Sequence, residues 1–258
     1  MAITLKSRRE IELMRKAGSI VAQVLSKLQE IAEPGMTTGE MDRVAAAMTA
    51  EAGAKPLFRG VRSPYAGEPF PGAICASINE EVVHGIPSDD VVLREGDLLS
   101  IDFGVRLSGY CGDAAVTVAV GDVAPERRRL VEVTRQVLEI AVSECRPGVR
   151  WSRIAGRMQA HAESAGFAVV RDFVGHGIGR AMHEDPRVPN FVSDDLLAND
   201  IVLTEGMTLA VEPMINAGAS DVKTLKNGWT IVTKDGRCSA HFEHTIAIVE
   251  GGCEVLTV

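Results

Sequence analysis

The chain has 258 residues, 46% of them hydrophobic and 24% charged, with a formal net charge of −8. That length can bury a sizeable core, and the acidic excess argues against a dedicated nucleic-acid binder. No apolar run approaches the roughly 20 residues that a membrane-spanning helix needs.

In chain order, Met-Ala-Ile-Thr-Leu-Lys6 leads straight into a charged segment with no apolar signal region. Apolar residues at near-helical spacing from Ile11 to Ile31 predict an amphipathic helix over Ser7–Ala32. Pro34-Gly35 ends it, and a second helix runs through Met41, Val44 and Met48 to a stop at Gly53. A loop rich in Pro and Gly covers Gly60–Gly72, and strand-like runs, one of them Ile78–Val83, continue to Val120. The order then begins again: a helix over about Ala124–Cys145, then Pro147-Gly148 and a helix that stops at Gly166. The basic clusters Lys6–Arg9 and Arg127–Arg129 read as solvated helix ends, with a docking face as the weaker reading. Cys75, Cys111, Cys145, Cys238 and Cys253 form no CxxC pair and are odd in number. A reduced, cytoplasmic protein is the expectation.

The restart is a repeat. Pro34-Gly35 stands to Ala52-Gly53 as Pro147-Gly148 stands to Ala165-Gly166. His84-Gly-Ile86 returns as His176-Gly-Ile178, and Asp90-Val-Val-Leu-Arg-Glu-Gly-Asp-Leu-Leu-Ser-Ile-Asp102 aligns with Asp200-Ile-Val-Leu-Thr-Glu-Gly-Met-Thr-Leu-Ala-Val-Glu212. One domain of two related α+β halves, about 1–122 and 123–258, follows. Each half ends a buried strand in a carboxylate.

Four acids, Asp102, Asp113, Glu212 and Glu243, sit inside apolar strand-like runs. One alone could face solvent or pair with a base. Four without matching lysines or arginines call for a cation, since an unpaired buried carboxylate costs several kcal/mol. A hairpin turning at Leu107-Ser108-Gly109 could bring Asp102 and Asp113 to one site. Carboxylates with a lone histidine suit Mn, Fe(II) or Co, with Zn possible. So many acids suggest two ions holding a bridging water, whose pKa falls to about 7 from about 15.7. Among the histidines, His176 sits in Phe173-Val-Gly-His-Gly-Ile-Gly179, which lacks the spacing of a dinucleotide loop. His161 and His241 read as packing residues, and His244 should point away from Glu243. There is no GxSxG elbow and no Walker loop.

Asp102, Asp113, His176, Glu212 and Glu243 in this order closely resemble the ligand set of the type I methionine aminopeptidases. The strings Asn79-Glu-Glu-Val-Val-His-Gly-Ile-Pro87, Gly175-His-Gly-Ile-Gly-Arg180, Val211-Glu-Pro213 and Phe242-Glu-His-Thr245 carry the likeness over the whole chain. The resemblance implies the pita-bread fold, an α+β arrangement of two pseudo-symmetric halves around a curved antiparallel sheet. It also implies hydrolytic removal of the initiator methionine from nascent chains. Asp102 would hold one of two divalent ions, His176 and Glu212 the other, with Asp113 and Glu243 bridging. Glu212 would take a proton from the water, and His84 and His183 would contact the scissile amide. Tyr65, Phe70, Cys75, Met182 and Trp229 would receive the methionine side chain, an apolar, sulfur-containing lining suited to a thioether. Met182 stands where relatives commonly have Phe, and Val83 where many have Cys.

Prolidase and aminopeptidase P share such a site but usually add a large N-terminal domain. The type II enzymes carry an insertion before the second-half glutamate, whereas only 35 residues separate His176 from Glu212 here. A non-catalytic relative should have lost ligands. A monomer acting on nascent polypeptides, with transient ribosome contact, completes the expectation.

Overall fold

The computed structural model describes residues 3–258. In the first half, helices α1 (Arg8–Ile31) and α2 (Thr38–Glu51) precede strands β1 (Lys55–Pro56), β2 (Cys75–Ile78), β3 (Glu81–Val83), β4 (Leu98–Leu107) and β5 (Tyr110–Ala119). In the second, α3 (Pro125–Glu144) and α4 (Trp151–Ser164) precede β6 (Ala168–Val169), β7 (Gly175–Gly177), β8 (Glu184–Val188), the short α5 (Asp194–Ala198) and β9 (Thr208–Val211). The chain closes with β10 (Met214–Asn216), β11 (Val222–Thr224), β12 (Ile231–Thr233), β13 (Ser239–His241), β14 (Glu243–Val249) and β15 (Gly252–Val255).

The helices begin where their sequences satisfy the free N–H groups of the first turn. Ser7 with Glu10, and Thr37 with Glu40, form reciprocal capping boxes at α1 and α2. Pro125 opens α3, where its missing N–H costs nothing. The apolar stripe of α1, from Ile11 and Met14 to Leu28, is buried as the spacing predicts. Among the described residues no helix is long and apolar enough to cross a membrane.

A nine-stranded antiparallel sheet curls through the molecule in the order β1-β4-β5-β14-β9-β7-β8, with β2 added on β4 and β15 on β14. Strands β4 and β5 join through the two residues Ser108 and Gly109, both at positive φ (52° and 84°). That is the hairpin turn whose twist matches its strands. The joint between the halves falls in the middle of the sheet, where β5 pairs with β14. Two cores flank it. One packs α1 and α2 residues such as Val21, Leu28 and Met41 on Leu99, Ile101 and Phe103 of β4. The other packs Leu130, Trp151 and Ile154 of α3 and α4 on Leu209, Val211 and Ile246 of β9 and β14.

Three details depart from expectation. The Ile78–Val83 run is broken in two, because Asn79 (φ 55°) turns the chain while its side chain bonds Asp97 and the Leu98 N–H. Lys6 is not part of a solvated cluster: it is 7% exposed, with Nζ 2.6 Å from Glu184 Oε2. Arg127 likewise turns inward, donating to Asn79 Oδ1 and the Gly96 carbonyl.

Candidate metal centre

Register explains how five separated side chains meet. Paired residues on neighbouring strands share a face, as do residues two apart on one strand. Asp102 is paired with Ala115 of β5, and Ala115 with Glu243 of β14, while Asp113 lies two residues from Ala115. Ala210 of β9 is paired with both His176 of β7 and Thr245 of β14. Thr245 lies two residues beyond Glu243, and Glu212 two beyond Ala210. Asp102, Asp113, His176, Glu212 and Glu243 therefore rise from one face of the curl, and all five line one cavity. Ligand atoms of Asp113, His176 and Glu243 lie within 4.8 Å of one another, and His176 Nε2 is 3.4 Å from Glu212 Oε1. His176 Nδ1 lies 2.9 Å from the Gly177 carbonyl. As the donor there it leaves the Nε2 lone pair free toward the acids.

Without a cation the acids avoid their mutual charge only by keeping protons. Burial pushes the Asp102 carboxyl from 3.8 up to about 7. Burial, and then the neighbouring acids, push Asp113, Glu212 and Glu243 well above the carboxylate range. Burial lowers His176 and His84 to about 4 and lowers His183 as well, with the neighbouring His183 adding to the effect on the first two. The imidazoles are therefore neutral and cannot balance the acids. No lysine or arginine lines the cavity. Asp102 Oδ1, Asp113 Oδ1 and Glu243 Oε1 are buried without a hydrogen bond, although buried polar atoms are nearly always satisfied. An oxygen-rich set with one neutral imidazole fits hard or borderline divalent ions.

The cavity has a volume of about 160 Å³. That is well below the roughly 300–1,000 Å³ of a pocket for a drug-sized ligand, and suits a single side chain. Its apolar lining is Phe58, Val61, Phe70, Cys75, Met182 and Trp229, with Cys75 the cross-strand neighbour of Asp102. Phe70 and Trp229 meet edge to face at 5.3 Å, and Trp229 Nε1 donates to the Glu68 carbonyl at 3.0 Å. A broader groove of about 730 Å³ adjoins it, and His84, His176, His183 and Glu212 line both. His84 is held at φ 59°, a conformation that favours glycine and costs about 1–3 kcal/mol in other residues. Next to it a Cβ on Gly85 would lie 2.2 Å from the Ala76 carbonyl oxygen, so only glycine fits. The His183 ring stands 4.4 Å from that of His176.

The chain matches metallopeptidase family M24 over residues 12–250. It is 46% identical to the methionine aminopeptidase of Clostridium acetobutylicum, over 99% of each chain. The crystal structure of a methionine aminopeptidase from Thermotoga maritima superposes with a TM-score of 0.93 at 43% identity, again over 99% of each chain. This chain belongs to metallopeptidase family M24, within its methionine aminopeptidases. Prolidase from Pyrococcus furiosus shares the fold alone, with a TM-score of 0.74 at 22% identity, and this chain spans 65% of it. The pita-bread fold expected from the resemblance is therefore the fold observed, and a metal-dependent aminopeptidase is the enzyme class.

For a methionine aminopeptidase the apolar wall holds one correction and several additions. Tyr65 is 84% exposed and does not line the cavity. Its loop passes outside, where the Tyr65 backbone abuts Gly228. Phe58 and Val61 occupy the wall instead, from a segment without the periodicity that marks a buried face. Val83 is buried against Val170, Met214 and Ile231 and is not among the lining residues, so its change acts at a distance. His244 faces away, with Nδ1 2.9 Å from Thr257 Oγ1. His161 bonds Gln136 between α3 and α4. His241 was expected to be packing; it is 1% exposed, with Nε2 3.9 Å from Glu212 Oε2. Asn190 also reaches this region, its Nδ2 donating to the Glu212 carbonyl.

Proposed function

We propose that the chain removes the N-terminal methionine of nascent polypeptides in the cytoplasm, using two divalent ions of the Mn, Fe(II), Co or Zn class. The supporting observation is a small apolar chamber that meets an open groove at a cluster of buried acids. Asp102, Asp113, His176, Glu212 and Glu243 would hold the ions. When bound, the ions offset the carboxylate charge, acidify a water and polarise the amide carbonyl. Glu212, at the junction of chamber and groove, accepts the proton of the attacking water at its carboxylate. His84 and His183, neutral and on the rim, donate N–H hydrogen bonds to the amide as negative charge develops on it. Phe58, Phe70, Cys75, Met182 and Trp229 receive the thioether side chain, while the rest of the substrate follows the groove. The substrate's free amino group would lie beside the metal-holding acids, which would confine cleavage to the first residue.

The chain reads as one catalytic domain with an internal repeat. Supporting this, Thr37 bridges Val92 in the first half as Arg150 bridges Val202 in the second. A monomer with transient ribosome contact suits the substrate, although Lys6 and Arg127 are committed internally and contribute little to a basic face. With Mn²⁺ supplied, release of methionine from Met-Ala-Ser but not of alanine from Ala-Pro-Ala is expected. The opposite preference refutes the reading and points to an X-Pro enzyme.

A further inference from the structure

Glu212 is flanked by two histidines, one on each carboxylate oxygen. His176 Nε2 stands 3.4 Å from Oε1, and His241 Nε2 stands 3.9 Å from Oε2. The first histidine lines the cavity; the second lies behind Glu212 and lines neither the chamber nor the groove. His241 is fixed from its backbone. It ends β13, paired with Met214 of β10. Its N–H donates to Thr117 Oγ1, and its carbonyl accepts from the same hydroxyl, both at 2.8 Å. Thr117 Oγ1 in turn meets Ser100 Oγ at 2.8 Å. Yet Nε2 itself, buried, has no hydrogen bond. A buried polar atom with no partner, 3.9 Å from a carboxylate oxygen and so just beyond hydrogen-bond reach, is rarely left so without a reason.

We propose that His241 is a positioning residue for Glu212: its neutral Nε2–H donates to Oε2, fixing the carboxylate so that Oε1 faces the cavity. This rests on the reading of Glu212 as a metal ligand. A carboxylate that both holds an ion and accepts a proton needs its two oxygens distinguished, and a donor on one of them does that. Such outer partners of metal ligands typically alter metal affinity or activity by 10- to 100-fold when removed. Without His241 the carboxylate is free to rotate about its last bond.

The test is calorimetric titration of chelator-treated protein with Mn²⁺, which reads metal affinity without reference to turnover. His241→Met, similar in bulk but without a donor, is expected to weaken Mn²⁺ binding 10- to 100-fold. His241→Gln, which returns an amide N–H at similar reach, is expected to recover most of it. In a second measurement, adding His241→Met to Glu212→Gln is expected to cause no further loss of affinity, since the two act as one unit. Affinity in His241→Met within twofold of wild type overturns the proposal. So does equal impairment of the Met and Gln variants, or additive losses in the double variant. Should His241→Met fail to fold, His241→Asn, whose amide is too short to reach Glu212, takes its place under the same criteria. Wild-type protein that binds Mn²⁺ but does not cleave Met-Ala-Ser refutes the proposed function and leaves this inference standing.

Discussion

Asp102→Asn in metal-free protein isolates the cost of the acid cluster. A carboxyl raised on folding keeps its proton in the folded chain at pH values where the unfolded chain has lost it. Its contribution to stability is fully present below the unfolded pKa and is lost as pH rises through the folded one. For Asp102 the window runs from 3.8 to about 7. At about 1.36 kcal/mol per pH unit, the contribution lost across it is roughly 4 kcal/mol. Buried histidines work the other way: His84 and His176, lowered to about 4, favour folding as pH rises towards 6.5. The comparison must therefore be a difference between two proteins that share those histidines. Urea unfolding followed by circular dichroism, in EDTA at intervals from pH 4.5 to 7.5, is the assay. Wild type should lose stability relative to Asp102→Asn by a few kcal/mol across that range. Saturating Mn²⁺ should reverse the trend, because metal binds the ionised acids and is favoured as protons leave. Parallel curves for the two metal-free proteins would refute the claim that desolvation of Asp102 is uncompensated.

Three further outcomes bear on the site. Glu243→Ala is expected to abolish turnover and reduce bound Mn²⁺ while circular dichroism stays native; near-normal activity at saturating metal would remove its bridging role. His183→Ala should lower kcat far more than metal content measured by atomic absorption, and equal losses would make it a ligand instead. Lys6→Met strips the partner from Glu184, beside His183. Glu184 is half-buried and keeps the Ala181 N–H as a partner, so losing this charge-assisted hydrogen bond should cost about 1.5–3 kcal/mol, read as a lower urea midpoint; a change below about 0.5 kcal/mol would show the pair to be solvated in effect.

What the sequence disclosed follows from what local physics can encode. The helix α1 was legible in the near-helical spacing of Ile11 to Ile31, because such periodicity is local, whereas its Ser7–Glu10 capping box emerged only in the structure. The four acids stood out because ionisable groups are costly inside apolar strands, and the turn at Leu107-Ser108-Gly109 made a hairpin that could bring Asp102 and Asp113 to one site. The chamber wall was harder. Phe58 and Val61 lie in a loop with no repeating pattern, and Tyr65 in the same loop turned out to face solvent. His241 escaped notice because a three-residue strand gives too short a pattern to assign a face, and its partner Glu212 is remote in sequence. Lys6 looked like part of a basic patch for the same reason, since Glu184 lies 178 positions away.

The acids can share one interior only because the sheet leaves room among them. The position between Asp102 and Glu243 is Ala115, on β5, and the position between His176 and Thr245 is Ala210, on β9. Both alanines are buried, at 2% and 0% exposure. In an ordinary sheet core, β-branched residues would fill such central sites and pack across the strands. Here that packing is given up, one place in each half, and the volume goes to the acids and His176, anchored by rigid hydrogen-bonded strands on either side. Strand placement holds donors more closely to a required geometry than a loop does. The cost of ionising acids in this interior is relieved when a cation takes the place of their protons. The loss of local stability and the affinity for metal are two consequences of one arrangement.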